Sequence, residues 1–330
     1  MKFGPVPLRE AEGAILAHSL PLPGGRLRKG VTLTAAHLAQ LAEAGMTEVV
    51  VARLEQGDVH EDDAALRLAR AATEGSAHLQ LAAPFTGRVN LLAERAGLVM
   101  LKVEGIIAAN AVDESLSVAT VPAYHQTSEG GMVATVKLVS YGVSGPVIEA
   151  AAAHLSGAIR LAVPVYRTAS LIISEVPGGL GSKGREAIEA RLSALGIALC
   201  ETLTCRHEEA ALAERLTAAR GEIVLILTAS ATSDSRDTAP EALRRAGGTL
   251  TRFGIPVDPG NLLFLGALGQ RPVIGLPNSA RSPVLHGADW VLGRVACGLE
   301  ISPRDFAAMG VGGLLKEIPT RPQPRRGPRG

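Results

Sequence analysis

The chain has 330 residues and a formal net charge of +1, with 47% hydrophobic and 20% charged residues. That length suits two domains, and that balance excludes disorder as the main state. The near-neutral charge argues against a strongly basic nucleic-acid binder, and an aromatic share of 3%, with Trp290 the sole tryptophan, against a base-stacking surface.

Residues 1–80 read as a small N-terminal α/β module. The segment Met1-Lys2-Phe3-Gly4-Pro5 lacks the apolar run of a signal peptide. Leu22-Pro23-Gly24-Gly25 is a turn. Thr34 caps a helix with Leu38, Leu41 and Ala42 on one face, and Gly45 ends it. Glu48 to Ala52 is a short buried strand. Asp58-Val59-His60-Glu61 reads as a capping box before a second helix that ends near Gly75.

Residues 81–165 read as a β-rich middle region. Val89 to Leu92, Gly97 to Val103, Ser117 to Val121 and Met132 to Val139 are predicted strands, and Pro146 to Leu155 a helix. From 166 to 318 the pattern alternates strand and helix. Ser170 to Ser174, Ile197 to Leu203 and Ile223 to Thr228 are strands, the last apolar throughout, as in a parallel strand covered on both faces. Ser182 to Leu195 and His207 to Ala219 are helices between them. Thr238-Ala239-Pro240-Glu241 reads as a capping box. Arg252 to Val257 and Pro272 to Gly275 are further strands. Ser282 is taken as the N-cap of a long helix from Pro283 to Cys297, with Pro at its first position. Ser302 caps a short helix ending at Gly310. Residues 319–330, rich in Pro, Arg and Gly, read as a disordered tail. The fold expected is α/β, with a three-layer, mainly parallel sheet domain after the first two modules.

The cysteines Cys200, Cys205 and Cys297 are an odd, sparse set, unlike a disulfide scaffold. Cys200 falls in a strand and is expected buried, with His207 on the surface. No second Cys/His pair follows at metal spacing, so no metal site is predicted. No stretch approaches the ~18 apolar residues of a spanning helix. The chain is therefore read as soluble and cytoplasmic, acting on neither nucleic acid nor membrane.

Gly179-x-Gly181-x-x-Gly184 follows a strand and opens a helix, with Glu201 downstream, which resembles a dinucleotide fingerprint. Glu175-Val176-Pro177-Gly178 separates those glycines from the strand end, so a plain glycine-rich turn is the favoured reading. Two other clusters carry more. Thr228 to Asp237, TASATSDSRD, follows the apolar strand and offers backbone N–H groups, hydroxyls and the carboxylates Asp234 and Asp237. Pro259-Gly260-Asn261 and Gly275 to Pro283 form the second. There Ser279, Arg281 and Ser282, at the expected helix start, make a candidate phosphate site.

In their order and spacing these clusters resemble the molybdopterin-binding domain of the molybdopterin molybdotransferase family, which includes the E domain of gephyrin. That family shows Ser-Gly-Gly-Val-Ser-x-Gly-x-x-Asp after a buried strand, where this chain has Thr228 to Asp237. It then shows Pro-Gly-Lys-Pro and Pro-x-x-Gly-Leu-Pro-Gly-Asn-Pro, where this chain has Asp258-Pro259-Gly260-Asn261 and Pro272 to Ser279. The resemblance covers 168 to 300, and Leu22 to Val51 resembles the segment leading into that domain. The whole chain looks still more like a divergent branch often joined to a domain resembling molybdenum cofactor cytidylyltransferase.

The resemblance implies a ligand, molybdopterin or the molybdenum cofactor, and a place in its maturation or handover. The partner implied is a nucleotidyltransferase or a molybdoenzyme, with a homo-oligomer as a further expectation. Ser279, Arg281, Ser282 and the turn Gly260-Asn261 would hold the phosphate end, with Asn278 beside them. Thr228, Ser230, Thr232 and Ser233 would line the other side, and Asp237 would fix the loop or accept from the ligand. The family's Asp-Gly-Tyr/Phe-Ala signature is absent, its Gly-Asp-Glu is replaced by Ser174-Glu175-Val176-Pro177, and its turn lysine by Asn261. Those acidic groups go with magnesium and molybdate handling in the family, so their loss weighs against molybdate insertion. Three alternatives stay open. One is an active magnesium-dependent molybdotransferase using Asp234, Asp237 and Glu175 as metal ligands. The others are a nicotinamide-cofactor protein and an assembly protein with a vestigial pocket.

Overall fold

The computed structural model describes residues 1–315. The tail read over 319–330, and the last residues of the 166–318 segment, lie outside them. The chain is a mixed α/β protein of several sheets. It divides into two compact units, residues 1–95 with 99–161, and residues 96–98 with 162 onward.

In the first unit, Lys2–Pro7, Glu48–Arg53 and Ile15–Leu16 form a three-stranded antiparallel sheet. Helix Ala35–Glu43 starts where predicted, with Thr34 Oγ1 accepting from the His37 N–H. Leu116–Thr120, Met132–Leu138, Arg88–Ala93 and Leu79–Leu81 form a second antiparallel sheet in that order. The expected capping box at Asp58 is not formed. Residues Asp58–His60 pair with Gly142–Ser144 as strand, so the helix begins at Glu61. His60 caps it, its Nδ1 accepting from the Asp62 N–H at 3.2 Å.

The second unit is built on a six-stranded sheet. Its spatial order is Ala198–Arg206, Thr168–Glu175, Ile223–Leu227, Arg271–Leu276, Phe264–Leu268, Thr249–Phe253. The first four strands are mutually parallel and the last two are antiparallel additions. Ile223, Leu225 and Leu227 pack on one face with Ile188 and Leu192 of helix Arg185–Ser193 and Val291 of helix Gly287–Ala296. Val224 and Ile226 pack on the other with Leu212 and Leu216 of helix Glu209–Ala218 and Leu243 of helix Thr238–Arg245. Two-sided burial is why this strand reads as a continuous apolar run, each side chain contributing about 1.5–3 kcal/mol.

Several sequence expectations need correction here. Phe264–Leu268 is a strand that the sequence pattern does not mark, and the strand expected at 252–257 is Thr249–Phe253. Its pairing stops at Phe253↔Phe264, where Gly254 at φ +75° turns the chain away. Helix Thr238–Arg245 is capped by Asp237, because the Glu241 carboxylate pairs with Arg244 at 2.6 Å rather than reaching back. Cys200 is exposed, not buried, because its strand is a sheet edge with one neighbour.

The largest correction concerns the last long helix. It starts at Gly287, not Pro283, and its N-cap is His286, not Ser282. Residues Asn278–Arg281 form a single 3₁₀ turn instead. The cause is Arg191, far upstream in the chain. Its guanidinium donates to the carbonyls of Ala280 at 2.9 Å, Ser282 at 2.8 Å and Val284 at 3.0 Å, and to Asp289 Oδ1 at 2.5 Å. Carbonyls gathered onto one cation cannot also run along a helix axis.

Candidate functional site at the carboxyl edge of the parallel strands

The chain leaves Thr168–Glu175, runs through a helix to Ala198–Arg206 on one side, then crosses back to Ile223–Leu227 on the other. The winding direction reverses between Thr168–Glu175 and Ile223–Leu227. Outside the carboxyl ends of strands at such a point a crevice opens, and ligands of open α/β sheets bind there.

The side chains at that point are connected. Ser174, buried at the end of its strand, accepts from the Ala229 N–H at 3.1 Å. Its Oγ lies 2.8 Å from Nδ1 of His207, and Nε2 of His207 lies 3.0 Å from Oγ of Ser230. The His207 N–H donates to the Glu175 carbonyl at 2.9 Å, which anchors the residue to the same edge. Ser230 is exposed. One strand further on, exposed Ser279 lies 2.7 Å from Nε2 of buried His286, whose Nδ1 accepts from the Ala288 N–H at 3.0 Å.

The remaining predicted residues fall around these two pairs. Thr228 is buried, its hydroxyl donating to the Ser230 carbonyl at 2.6 Å. Thr232 is buried as well. Ser233 is exposed, and its N–H donates to Asp237 Oδ2 at 2.9 Å. Burial pushes the Asp237 carboxyl up, but the N–H groups of Ser233 and Thr238 and the His207 imidazole outweigh it. The group is held below its ordinary value. Gly260 follows the cis Asp258–Pro259 bond at φ +132°. A Cβ on it would lie 2.8 Å from the Gly287 nitrogen and 3.1 Å from His286 Cε1, so only glycine lets this turn close on His286. Asn261 is exposed, its carbonyl accepting from the Ile255 N–H.

Arg281 is placed differently from the expectation of an open phosphate ligand. Its guanidinium donates to the carbonyls of Gly181 and Thr228, each at 3.1 Å, and to that of Lys183. It straps the 178–184 turn to the loop after Ile223–Leu227, and burial pushes its pKa below the ordinary value. Gly184, at φ +93°, is the other half of the strap, since a Cβ there would lie 2.6 Å from Arg281 Cβ. Arg281 Nε and Asn278 Oδ1 are enclosed without a partner among the described residues. Ser282 is exposed, and its hydroxyl accepts only a 3.4 Å contact from the Val284 N–H.

The structure therefore joins Thr228 to Arg281, Ser279 to His286 beside Gly260, and Ser230 to His207. It does not bring Asp234, Asp237 and Glu175 into one metal-holding group, and no cluster of three or more His, Cys, Asp or Glu suited to a metal occurs among the described residues. Glu201, the candidate ribose acid, accepts instead from Ser170 Oγ at 2.5 Å and from Arg220. Sequence reasoning gives Ser174 and His286 no role and places His207 on the surface. The signal available was position: Ser174 and His207 each close a strand of the parallel set, and His286 precedes an apolar helix at a cap position.

Residues 5–53 match a family model described as a domain of unknown function (DUF8806). No curated protein matches the chain. Among solved structures the chain is similar to the molybdopterin biosynthesis MoeA protein from Pyrococcus horikoshii, at 14% identity and a TM-score of 0.32, over 90% of this chain and 76% of that one. It is similar to a molybdopterin biosynthesis protein from Mycobacterium abscessus at 14% identity and 0.28, over 41% and 94%. A third is the molybdopterin biosynthesis enzyme MoaB from Thermus thermophilus, at 18% identity and 0.28, over 46% and 100%. No helix among the described residues is long and apolar enough to cross a membrane.

Proposed function

We propose that this chain binds molybdopterin or the molybdenum cofactor and acts in its maturation or handover, beside a nucleotidyltransferase. Residues 166–318 would be the three-layer, mainly parallel domain that holds it. The observation that carries the reading is the pair of exposed serines, Ser230 and Ser279, on loops leaving the adjacent strands Ile223–Leu227 and Arg271–Leu276 beside the reversal point. These are the loops whose sequence resembles the pterin-binding motifs.

The residues present suit a phosphorylated pterin. Ser279, with the Gly260-Asn261 turn and Ser282, would take the phosphate end. Ser230 and Ser233 would line the other side of the crevice. Thr228, Thr232, Asn278 and Arg281 would shape the loops from beneath, and Asp237 would hold the 228–237 loop through its two N–H contacts. None of these roles calls for magnesium.

The test is to purify the full chain from cells that make molybdopterin, denature it and identify released small molecules by mass spectrometry. A phosphorylated pterin near one per chain is expected; a nicotinamide dinucleotide, or no pterin, would overturn the reading. A second arm reconstitutes a molybdoenzyme from molybdopterin and molybdate. The expected result is no insertion by this chain alone. Magnesium-dependent insertion lost in Asp237→Asn would establish the transferase instead.

A further inference from the structure

His207 and His286 reach the same protonation pattern by different routes. A backbone N–H can only donate, so the bond from Ala288 fixes Nδ1 of His286 as an acceptor. The single ring proton of this buried, neutral imidazole is then on Nε2, aimed at Ser279 Oγ. At His207 the same result comes through a side chain. Ser174 is buried and already accepts from Ala229. Its own hydroxyl proton needs an acceptor, and Nδ1 of His207 at 2.8 Å is the one in reach. The ring proton of a neutral His207 is again on Nε2, aimed at Ser230 Oγ.

A serine hydroxyl has one proton and two lone pairs. With a lone pair of each already taken by an imidazole N–H, Ser230 and Ser279 keep their protons for whatever lies outside. We propose that His207 and His286 are positioning residues that turn two exposed serines into outward hydrogen-bond donors, so that this edge selects an oxyanion, in chemical class a phosphate group. The inference rests on the phosphorylated-ligand reading above and adds to it which residues set the selectivity. It also excludes an attractive alternative: with its proton on Nε2, neutral His207 cannot take one from Ser230, so the trio is not a nucleophile with its base.

The nearby carboxylates keep their charge, but their lone pairs are directed at the loop's own N–H groups. Asp237 accepts from Ser233 and Thr238, and Asp234 accepts from Arg236 at 2.8 Å.

The experiment uses the full chain labelled with ¹⁵N at histidine, read by long-range ¹H–¹⁵N correlation at pH 8, above the ordinary histidine range. Both residues are expected as the Nε2–H tautomer. An Nδ1–H form at either, or an even mixture, overturns the proposal. Ser174→Ala should convert His207 to a mixture and leave His286 unchanged. Inorganic phosphate is then titrated on the same signals. His207→Gln, which keeps an N–H near the Nε2 position, should stay within about twofold of wild type, while His207→Ala weakens phosphate about fivefold. Equal weakening in both, or no response of either histidine to phosphate, overturns it. The tautomers are read without ligand, so their failure leaves the pterin reading standing. Correct tautomers with phosphate bound, but no binding of molybdopterin that phosphate displaces, would sink the pterin reading and assign the edge to free phosphate.

Discussion

The two ends of the same three parallel strands are built from different chemistry. At the amino ends, Glu222 accepts from the N–H groups of Arg167 at 2.7 Å and Thr168 at 3.0 Å, and from Thr168 Oγ1 at 3.2 Å. Glu201 accepts from Ser170 Oγ at 2.5 Å and from Arg220 N and Nε at 2.6 and 3.0 Å. Both carboxylates are satisfied within the chain. At the carboxyl ends the exposed hydroxyls of Ser230 and Ser279 are backed by imidazoles, beside the exposed carboxylates Glu175 and Asp234. Carboxylates tie the amino ends together, whereas the edge proposed for the ligand is distinguished by its serine–imidazole pairs.

The comparison can be broken most forcibly at the amino end. Gly221 packs so closely on the neighbouring strand that a Cβ would lie 2.2 Å from the Ser170 nitrogen and 2.8 Å from Ala169 Cα. Gly221→Ala is expected to destabilise the protein by about 3 kcal/mol, as read by denaturant midpoint. Next in size is Glu201→Ala. It leaves the Ser170 hydroxyl, fully buried, without its acceptor, at a cost of about 2 kcal/mol. Most of that is the orphaned hydroxyl rather than the ion pair, because Arg220 is largely exposed.

The amino-end carboxyls also set a pH response. Hydrogen bonds from Ser170 and Arg220 hold Glu201 below its ordinary value, and the N–H groups of Arg167 and Thr168 do the same for Glu222. A carboxyl depressed in the folded state stabilises the fold above its unfolded pKa and loses that contribution as pH falls through the folded value. Melting temperature should therefore drop as pH falls below about 4.5, the reference glutamate value, and Glu201→Gln should flatten part of the drop. The smallest stability effects belong to the carboxyl end. Ser230→Ala should change stability by no more than about 0.5 kcal/mol, since its side chain is exposed, and Ser279→Ala, which takes the Ser279 acceptor from Nε2 of buried His286, by about 1 kcal/mol.

How much of this was legible follows the same division. The two-sided strand Ile223–Leu227, the strand–helix alternation and the caps at Thr34 and Ser302 are local, and the structure carries them. The helix start at Ser282 looked local but was not, because Arg191 pulls three carbonyls of that segment out of helical alignment. His207 looked like a surface histidine, since neither Ser174 nor Ser230 is near it in sequence. What hid the candidate site was that its groups are ordinary residue types, distinguished only by the strand ends they occupy.

The measurement that bears most directly on the account is a molybdopterin titration of the full chain, of Ser230→Ala/Ser279→Ala, and of Glu201→Ala at a temperature where it is folded. If the carboxyl edge is the ligand surface, the double variant melts within about 4 °C of wild type and binds about 25-fold more weakly, at roughly 1 kcal/mol per lost donor. Glu201→Ala then melts earlier but binds as wild type does. Unchanged affinity in the double variant, or a loss confined to Glu201→Ala, would contradict the assignment of the two ends.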